Sequence, residues 1–165
     1  MIKNQHQRRQ SASKYSCIIN TPVGKLGILV FNSQIVRISY LSPRVASISP
    51  RDATAKLVVA KMKRYFLSAY HNFNLPISLK GTPLQKKIWR KLLTIPMGQT
   101  ITYGRLAEMV GTSPRVIGNA CCANPIPIIV PCHRVVSASG IGGYSGKTNG
   151  RVLEIKEWLL QHEGC

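Results

Sequence analysis

The stretch Asn124-Pro125-Ile126-Pro127-Ile128-Ile129-Val130-Pro131-Cys132-His133-Arg134-Val135 sets a cysteine beside a histidine, between prolines and a β-branched run. Pro131 restricts the backbone just before the thiol, and residues 128–130 predict a buried strand that leads into it. A thiol attacks as thiolate, and a nearby imidazole can take its proton. Cys132 and His133 are therefore a candidate nucleophile and base. A buried Cys beside a packing His is the common alternative for such a pair.

The charge of the chain points to a polyanionic partner. Its 165 residues include 23 Lys and Arg but five Asp and Glu, for a formal net charge of +18. This length is enough for one sizeable domain or two small ones. Such an excess favours nucleic acid as a partner, and a generally basic surface without a specific partner remains the alternative.

The cysteine pattern and the apolar pattern exclude several classes of protein. The five cysteines form no CxxC pair, which argues against a zinc ribbon or a thioredoxin-type dithiol. The N-terminus has no apolar core of a signal peptide, and no apolar run approaches the ~20 residues of a membrane span. We therefore expect free thiols, no membrane association and an intracellular protein, in the nucleus of a eukaryote or the cytoplasm of a prokaryote.

The N-terminal half reads as a small sheet followed by a helix. Residues 1–13 are rich in Gln, Arg, Lys and Ser and predict a flexible basic tail, which either touches DNA or is simply unstructured. Alternating apolar residues and turn residues then predict a β-meander. The predicted elements are strands over 15–19, 25–31 and 35–41, a helix over 53–70 and a short strand over 75–79.

The C-terminal half reads as a group of short helices that begins near Gly81. Thr82, with Gln85 three residues later, fits a capping box, and the helix it opens stops before Pro96. Thr102 caps a second helix that Gly111 closes. A third runs from Pro114 through Cys122, so that the second and third form a helix-turn-helix signature. Residues 133–146 predict a strand and a Gly-rich loop that resembles a wing, and residues 152–162 predict a final helix.

Two charged residues stand out in these helices. Arg115 lies in the first turn of the third helix, where a cation opposes the helix dipole. It is either a solvated surface arginine or one aimed into DNA. Glu163 ends the last helix and is either a surface acid or a carboxylate that orients a histidine.

Together these motifs resemble the O6-alkylguanine-DNA alkyltransferase family, also called methylated-DNA–protein-cysteine methyltransferases. The resemblance runs from about Tyr15 to Gly164, and residues 126–135 are its most specific part. It implies an α+β protein with an RNase H-like α/β N-terminal domain over 14–80. A helical, winged-helix-like DNA-binding domain over 81–165 would follow.

The resemblance also implies a role for particular residues. Cys132 would accept the alkyl group, His133 would take its proton through a water, Glu163 would hold His133, and Asn124 would brace the turn. Tyr103 would help to rotate the nucleotide out and would donate a proton to the guanine ring. Arg115 would fill the gap left in the duplex. The implied pocket residues are Tyr103, Pro127, Val135, Tyr144, Ser145 and Gly146, and the implied DNA contacts are Arg115, Thr82, Tyr103, Gly104, Ser113 and Gly118.

The implied function is direct DNA repair. The alkyl group of O6-alkylguanine, with O4-alkylthymine as a second candidate substrate, would move irreversibly to Cys132 after nucleotide flipping, once per molecule. The expected partner is double-stranded DNA that carries the lesion. The expected protein is a monomer with no cofactor and no metal. Three alternatives stay open: a lesion-binding protein of the same fold that does not repair, a cysteine hydrolase that uses Cys132, His133 and Glu163, and a DNA-binding regulator.

Overall fold

The N-terminal part of the molecule is built on a three-stranded antiparallel sheet. The computed structural model describes residues 14–68 and 72–165, so the predicted tail over residues 1–13 lies outside the described residues. The strands β1 (Cys17–Thr21), β2 (Gly24–Phe31) and β3 (Gln34–Leu41) pair in the order β1-β2-β3, which confirms the meander. β1 begins two residues later than predicted and continues to Thr21, because Pro22 and Val23 alone suffice for the turn.

The first helix, α1 (Ala53–Leu67), packs on β1 and β2. Its N-cap is Asp52, whose side chain accepts a hydrogen bond from the Ala55 amide at 2.8 Å. Such a cap satisfies one of the unpaired amides of the first turn. The helix ends at Leu67, earlier than the predicted residue 70, because Ser68 is already extended.

The strand predicted over 75–79 is absent, and this prediction was wrong. Only Ile77 forms a bridge, with Ile35 of β3. The Ile35 amide donates to the Pro76 carbonyl at 2.8 Å, and the Ser78 amide donates to the Ile35 carbonyl at 2.9 Å. Pro76 has no amide hydrogen to extend this ladder, so the segment makes a single bridge and no strand.

The C-terminal part holds four helices, two of which start at the predicted caps Thr82 and Thr102. The Thr82 side chain accepts from the Gln85 amide, and the Gln85 side chain accepts from the Thr82 amide, so the capping box is confirmed. Gly111 ends one helix in the left-handed conformation, with φ 79°, as a C-terminal glycine typically does. The helices are α2 (Pro83–Leu92), α3 (Tyr103–Val110), α4 (Pro114–Cys122) and α5 (Arg151–Glu163).

The predicted strand within 133–146 is much shorter than expected. A 3-10 turn, Cys132–Arg134, leads into the two-residue strand β5 (Val135–Val136). This strand pairs in parallel with β4 (Ile101–Thr102), the segment that leads into α3. The small pairing therefore fixes the Cys132 segment against the start of the helix pair α3–α4.

One hydrophobic core runs through both parts of the molecule. It extends from Cys17 and Ile28 of the sheet, through Trp89 of α2, to Leu159 of α5. The Trp89 indole N–H donates to the Ala120 carbonyl at 2.8 Å, which ties α2 to α4. The fold is thus mixed α+β. Over residues 14–68 and 72–165, no helix has the length and apolar character needed to cross a membrane.

Candidate active site

Cys132 lies on the wall of a cavity of about 330 Å³. α4, the start of α3 and the loop after β5 enclose this cavity, and only 3% of the Cys132 surface is exposed. The structure brings together seven of the predicted site residues here: Tyr103, Arg115, Gly118, Cys132, Tyr144, Ser145 and Gly146. The lining residues that were not predicted are Asn119, Cys121, Cys122, Gly143, Lys147 and Thr148.

Pro127 and Val135 are buried but do not line this cavity. The Val135 carbonyl accepts a hydrogen bond from the Lys156 ammonium at 2.6 Å. A carbonyl has two lone pairs, so this bond leaves Val135 one further acceptor position.

The segment before Cys132 is a tight turn, and the strand predicted over 128–130 was wrong. The Val130 amide donates to the Ile126 carbonyl at 2.9 Å, and Ile128 has φ 75°. A β-branched residue rarely adopts this left-handed conformation. Complete burial of the Ile128 side chain and the bonds around the turn hold it there.

Asn124 makes side-chain hydrogen bonds to both ends of this turn. Its side-chain oxygen accepts from the Ile126 amide at 3.0 Å, while its side-chain nitrogen donates to the Val130 carbonyl at 2.8 Å. The same nitrogen lies 3.2 Å from the Cys132 Sγ. Asn124 therefore fixes the loop and also donates to the sulfur that the loop presents.

The resting thiol is protonated. Burial raises the pKa of the Cys132 thiol, although hydrogen bonds from Asn124 and Tyr144 and the positive charge of Lys156 act in the opposite direction. The nucleophile is thus generated by removal of a proton, and a base near the thiol is required.

Behind Cys132, the Glu163 carboxylate accepts four hydrogen bonds. The donors are His133 Nε2 at 2.8 Å, Arg134 Nε at 2.7 Å, Arg134 Nη2 at 2.9 Å and the Tyr65 hydroxyl at 2.7 Å. Burial alone would raise the pKa of Glu163. The hydrogen bonds from His133 and Arg134 and the positive charge of Arg134 outweigh this effect, so the Glu163 pKa lies well below its ordinary range.

His133 is neutral in this environment. Burial lowers its pKa more than the bond to Glu163 and the charge of Glu163 raise it, and Arg134 already balances that charge. A neutral His133 must donate from Nε2 to the carboxylate, so its Nδ1 carries the lone pair. His133 Nδ1 has no hydrogen-bond partner within the described part of the chain. This tautomer leaves Nδ1 able to accept a proton.

Tyr103 lines the cavity, and Lys156 lies close to the Tyr103 ring. The Tyr103 hydroxyl donates to the Gly143 carbonyl at 3.3 Å, and the Lys156 ammonium lies 5.7 Å from the centre of the Tyr103 ring. Burial raises the pKa of Tyr103, and the nearby cysteines raise it further, so the phenol keeps its proton at neutral pH. Burial lowers the pKa of Lys156 to about 8.

The helix pair places an exposed arginine at the mouth of the cavity. α4 begins after Ser113, whose side chain caps it, and the exposed Arg115 follows in the first turn. A Cβ added to Gly104 of α3 or Gly118 of α4 would meet no atom within 4 Å. Both glycines therefore face open space, where a ligand backbone can approach closely. Thr82 does not line the cavity and is exposed at the start of α2.

Sequence reasoning also missed four residues that bond to site residues without lining the cavity. Arg134 and Lys156 were passed over, although Arg134 adjoins His133 in the sequence and Lys156 is a lysine on a helix with a buried face. Tyr40 and Tyr65 lie in the N-terminal part and reach the site only through tertiary packing. No local pattern in the sequence could have identified these two.

A larger cavity, of about 680 Å³, lies between residues 72–77 and the end of α2. It includes Arg134 and Pro131 but neither Cys132 nor His133, so its size does not make it the reactive site. Across residues 14–68 and 72–165, no three His, Cys, Asp or Glu side chains are grouped so as to hold a metal ion.

Comparison with known proteins agrees with this geometry. Residues 83–165 match the family described as 6-O-methylguanine DNA methyltransferase, DNA binding domain. A probable methylated-DNA–protein-cysteine methyltransferase of Acanthamoeba polyphaga mimivirus is 40% identical over 149 residues, which are 88% of this chain and 94% of that protein. The corresponding protein of Mycobacterium leprae is 39% identical over 84% of this chain and 90% of its own length.

A solved structure gives the same result for the fold. The crystal structure of Mycobacterium tuberculosis OGT in complex with DNA superimposes with a TM-score of 0.76 and 34% identity, over 89% of this chain and 91% of that one. The family match covers half of the chain, and the relatives are about 40% identical to it. These two findings together assign the family. This chain belongs to the 6-O-methylguanine DNA methyltransferase family.

Proposed function

We propose that this protein repairs DNA directly, by irreversible transfer of the alkyl group of O6-alkylguanine in double-stranded DNA to Cys132. One observation carries the proposal. Cys132 lines a cavity closed on one side by the exposed Arg115, and the His133–Glu163 pair lies behind it. Family membership and the DNA-bound relative support the same reading.

Because the thiol is buried, the alkylated guanine must leave the DNA duplex to reach it. The O6 atom of a stacked guanine faces the major groove, where the buried Cys132 sulfur on the cavity wall cannot reach it. Flipping the nucleotide costs a few kcal/mol, and less where the lesion weakens pairing. Arg115 at the cavity mouth is suited to fill the space that the flipped nucleotide leaves in the duplex. Gly104 and Gly118 allow the DNA backbone to approach. Thr82 and Ser113, which cap exposed helix starts, are proposed phosphate contacts.

The proton of the thiol passes to His133 in this mechanism. The Nδ1 lone pair of His133 accepts it, through one water that bridges the two groups, and the charged imidazole is then stabilised by Glu163. Asn124, at 3.2 Å, donates to the sulfur as the negative charge develops.

The transfer itself is an in-line displacement. The Cys132 thiolate forms a bond to the carbon on O6, the carbon–O6 bond breaks, and its electron pair goes to the guanine. Tyr103, whose raised pKa keeps it protonated, donates a proton to the leaving guanine and lowers the barrier to departure. The Tyr103 phenolate then regains a proton from water, to which the His133 imidazolium releases the proton that it took from the thiol. The product is a thioether, which water does not readily cleave, so each molecule acts once.

Pocket selectivity would come from the loop after β5. Tyr144, Ser145 and Gly146 line the cavity near the sulfur and are proposed to approach O6 or the alkyl group. Backbone groups of Cys132 and Val135 are proposed to accept from the exocyclic amine, with Pro127 behind them. The remaining acceptor position on the Val135 carbonyl is available for this.

We also propose that the fold divides into two units. The sheet β1–β3 with α1 supports an RNase H-like unit over 14–80, and α2–α4 with the loop after β5 supports a winged-helix-like unit over 81–165. We propose a monomer, present where DNA is, in the nucleus or the prokaryotic cytoplasm.

The experiment is to incubate the protein with a duplex that carries O6-methylguanine and to weigh the intact protein. We expect one added methyl group, located on Cys132, and none in Cys132→Ala. Cys165→Ala is the matched control, because Cys165 is an exposed free thiol outside the cavity, and it should behave as wild type.

Two other functions give different results in the same assay. Repeated release of product with no change in protein mass would indicate a cysteine hydrolase. Tight binding with neither repair nor added mass would indicate a lesion-binding protein or a regulator. Either result would refute the transfer proposed here.

A further inference from the structure

Strand β3 of the N-terminal sheet makes direct contact with the loop that carries Cys132. The Ile38 amide donates to the Pro125 carbonyl at 2.9 Å, which attaches the loop to the edge of the sheet. Tyr40 lies two positions further along β3, and alternate residues of a strand share a face. The sheet therefore holds Tyr40 in a fixed position beside the loop.

Tyr40 reaches the cavity by way of Tyr144. The two hydroxyl oxygens are 2.9 Å apart, and the rings meet edge to face with their centres 6.3 Å apart. Tyr144 is 3% exposed and lines the cavity together with Cys132, and its hydroxyl is near enough to lower the pKa of the Cys132 thiol. A row of three groups thus runs from the sheet to the sulfur: Tyr40, Tyr144 and Cys132.

Hydrogen bonds hold the backbone of Tyr144 in place, but they do not determine the direction in which its hydroxyl hydrogen points. The Tyr144 amide donates to the Lys147 carbonyl at 2.8 Å, and the Lys147 amide returns a bond to the Tyr144 carbonyl at 2.9 Å. A phenol hydrogen rotates to suit its neighbours. One hydrogen cannot serve both Tyr40 and Cys132, so the second phenol determines which neighbour receives it.

We propose that Tyr40 is a positioning residue for alkyl transfer: its hydroxyl donates to the Tyr144 oxygen and so directs the Tyr144 hydrogen toward the Cys132 sulfur. The proposal rests on Cys132 as the acceptor. A thiolate attracts a donor more strongly than a neutral phenol oxygen does, so this donor order holds in the reacting state. Hydrogen bonds in such a row strengthen one another.

This role differs from that of a packing residue. Tyr40 is half-buried, and the edge-to-face contact of its ring with Tyr144 does not involve the hydroxyl. Removal of the Tyr40 oxygen leaves the ring contact with Tyr144 in place. Tyr40→Phe is therefore expected to keep the fold and to change the reactivity of a sulfur that Tyr40 reaches through Tyr144.

The first experiment measures the rate of alkyl transfer from free O6-benzylguanine as a function of pH. We expect Tyr40→Phe to be slower than wild type by about three- to tenfold, the size of one lost hydrogen bond. The midpoint of its pH profile should move upward, because the thiolate is less stabilised. Tyr15→Phe is the matched control, since Tyr15 is a buried phenol of the same sheet region in a separate cluster with Ile18 and Leu41. It should match wild type in rate and in pH profile.

A double-mutant cycle then tests the route through Tyr144. In a Tyr144→Phe background, the further change Tyr40→Phe should have no effect, because the relay is already broken. A full effect of Tyr40→Phe in that background would overturn the proposal. So would a wild-type rate and pH profile for the single variant.

A third readout separates this proposal from the proposed function. The pH dependence of Cys132 modification by iodoacetamide reports thiolate stability without any DNA lesion. An upward shift in Tyr40→Phe supports the positioning role even if alkyl transfer to Cys132 were not observed. No shift refutes that role even if wild-type alkyl transfer were normal.

Discussion

Glu163→Gln tests the cluster behind the cysteine most directly. The Glu163 carboxylate accepts hydrogen bonds from four donors at 2.7–2.9 Å. The side chains of Glu163 and His133 are fully buried, and 7% of the Arg134 side chain is exposed. An amide has one acceptor oxygen and a nitrogen that itself donates. The variant therefore leaves donors unsatisfied and removes the charge that balances Arg134.

The expected loss of stability is large. Breaking a buried ion pair on one side costs about 3–5 kcal/mol, which for a chain of this size lowers Tm by roughly 6–20 °C. Glu108→Gln is the matched control, because Glu108 pairs with Arg105 at the same 2.9 Å but both side chains are 68% exposed. An exposed pair contributes little, so its Tm should be near that of wild type.

The activity of Glu163→Gln should fall as well, through the tautomer of His133. The amide introduced by this substitution can donate to Nε2, and the imidazole hydrogen would then lie on Nδ1, which could no longer accept the thiol proton. We expect alkyl transfer to slow by roughly 10²-fold, the usual contribution of a general base. The rate is measured below the Tm of both proteins.

The pH dependence of the stability difference follows from the Glu163 pKa. The folded pKa lies below the ordinary value of 4.5, so the unfolded chain binds more protons near and below that pH. The stability that Glu163 contributes is fully present above pH 4.5 and is lost as the pH falls further. Equal Tm values for Glu163→Gln and Glu108→Gln at pH 7, or a difference unchanged in acid, would refute this account of the cluster.

Three further predictions concern other parts of the site. Asn124→Ala should lower the free energy of unfolding by about 1–3 kcal/mol in urea titrations, since buried backbone groups lose their partner, and should slow alkyl transfer; an unchanged transfer rate would remove its role at the sulfur. Lys156 has a folded pKa of about 8 against an ordinary 10.5, so its contribution to stability rises with pH between these values. Wild type should gain stability relative to Lys156→Met over that interval in thermal melts, and parallel curves would contradict this sign. Arg115→Ala should reduce repair in duplex DNA more than transfer from free O6-benzylguanine, and equal losses would exclude the proposed contact with the duplex.

The caps and the turns of this chain could be predicted because they depend on neighbouring residues. Thr82 with Gln85, Thr102 and Gly111 fixed the starts and ends of helices through bonds that span a few residues. The strand over 128–130 failed for a related reason. Its β-branched residues favour a strand, but Asn124 takes the place of a strand partner and folds the segment into a turn.

The sequence by itself determined the family and the starts of most helices, and it indicated the proposed reactive pair Cys132 and His133, because these depend on short motifs and local hydrogen bonds. Only the tertiary structure determined the charges and hydrogen-bond directions of the groups around this pair. The charge of Glu163 depends on Arg134, and the hydrogen of Tyr144 depends on Tyr40, which lies 104 residues away in the chain. Such pairings arise when one hydrophobic core brings the sheet and the helices together. Because burial strengthens electrostatic interactions and makes unpaired polar groups unfavourable, packing decides which protons are held and which can move.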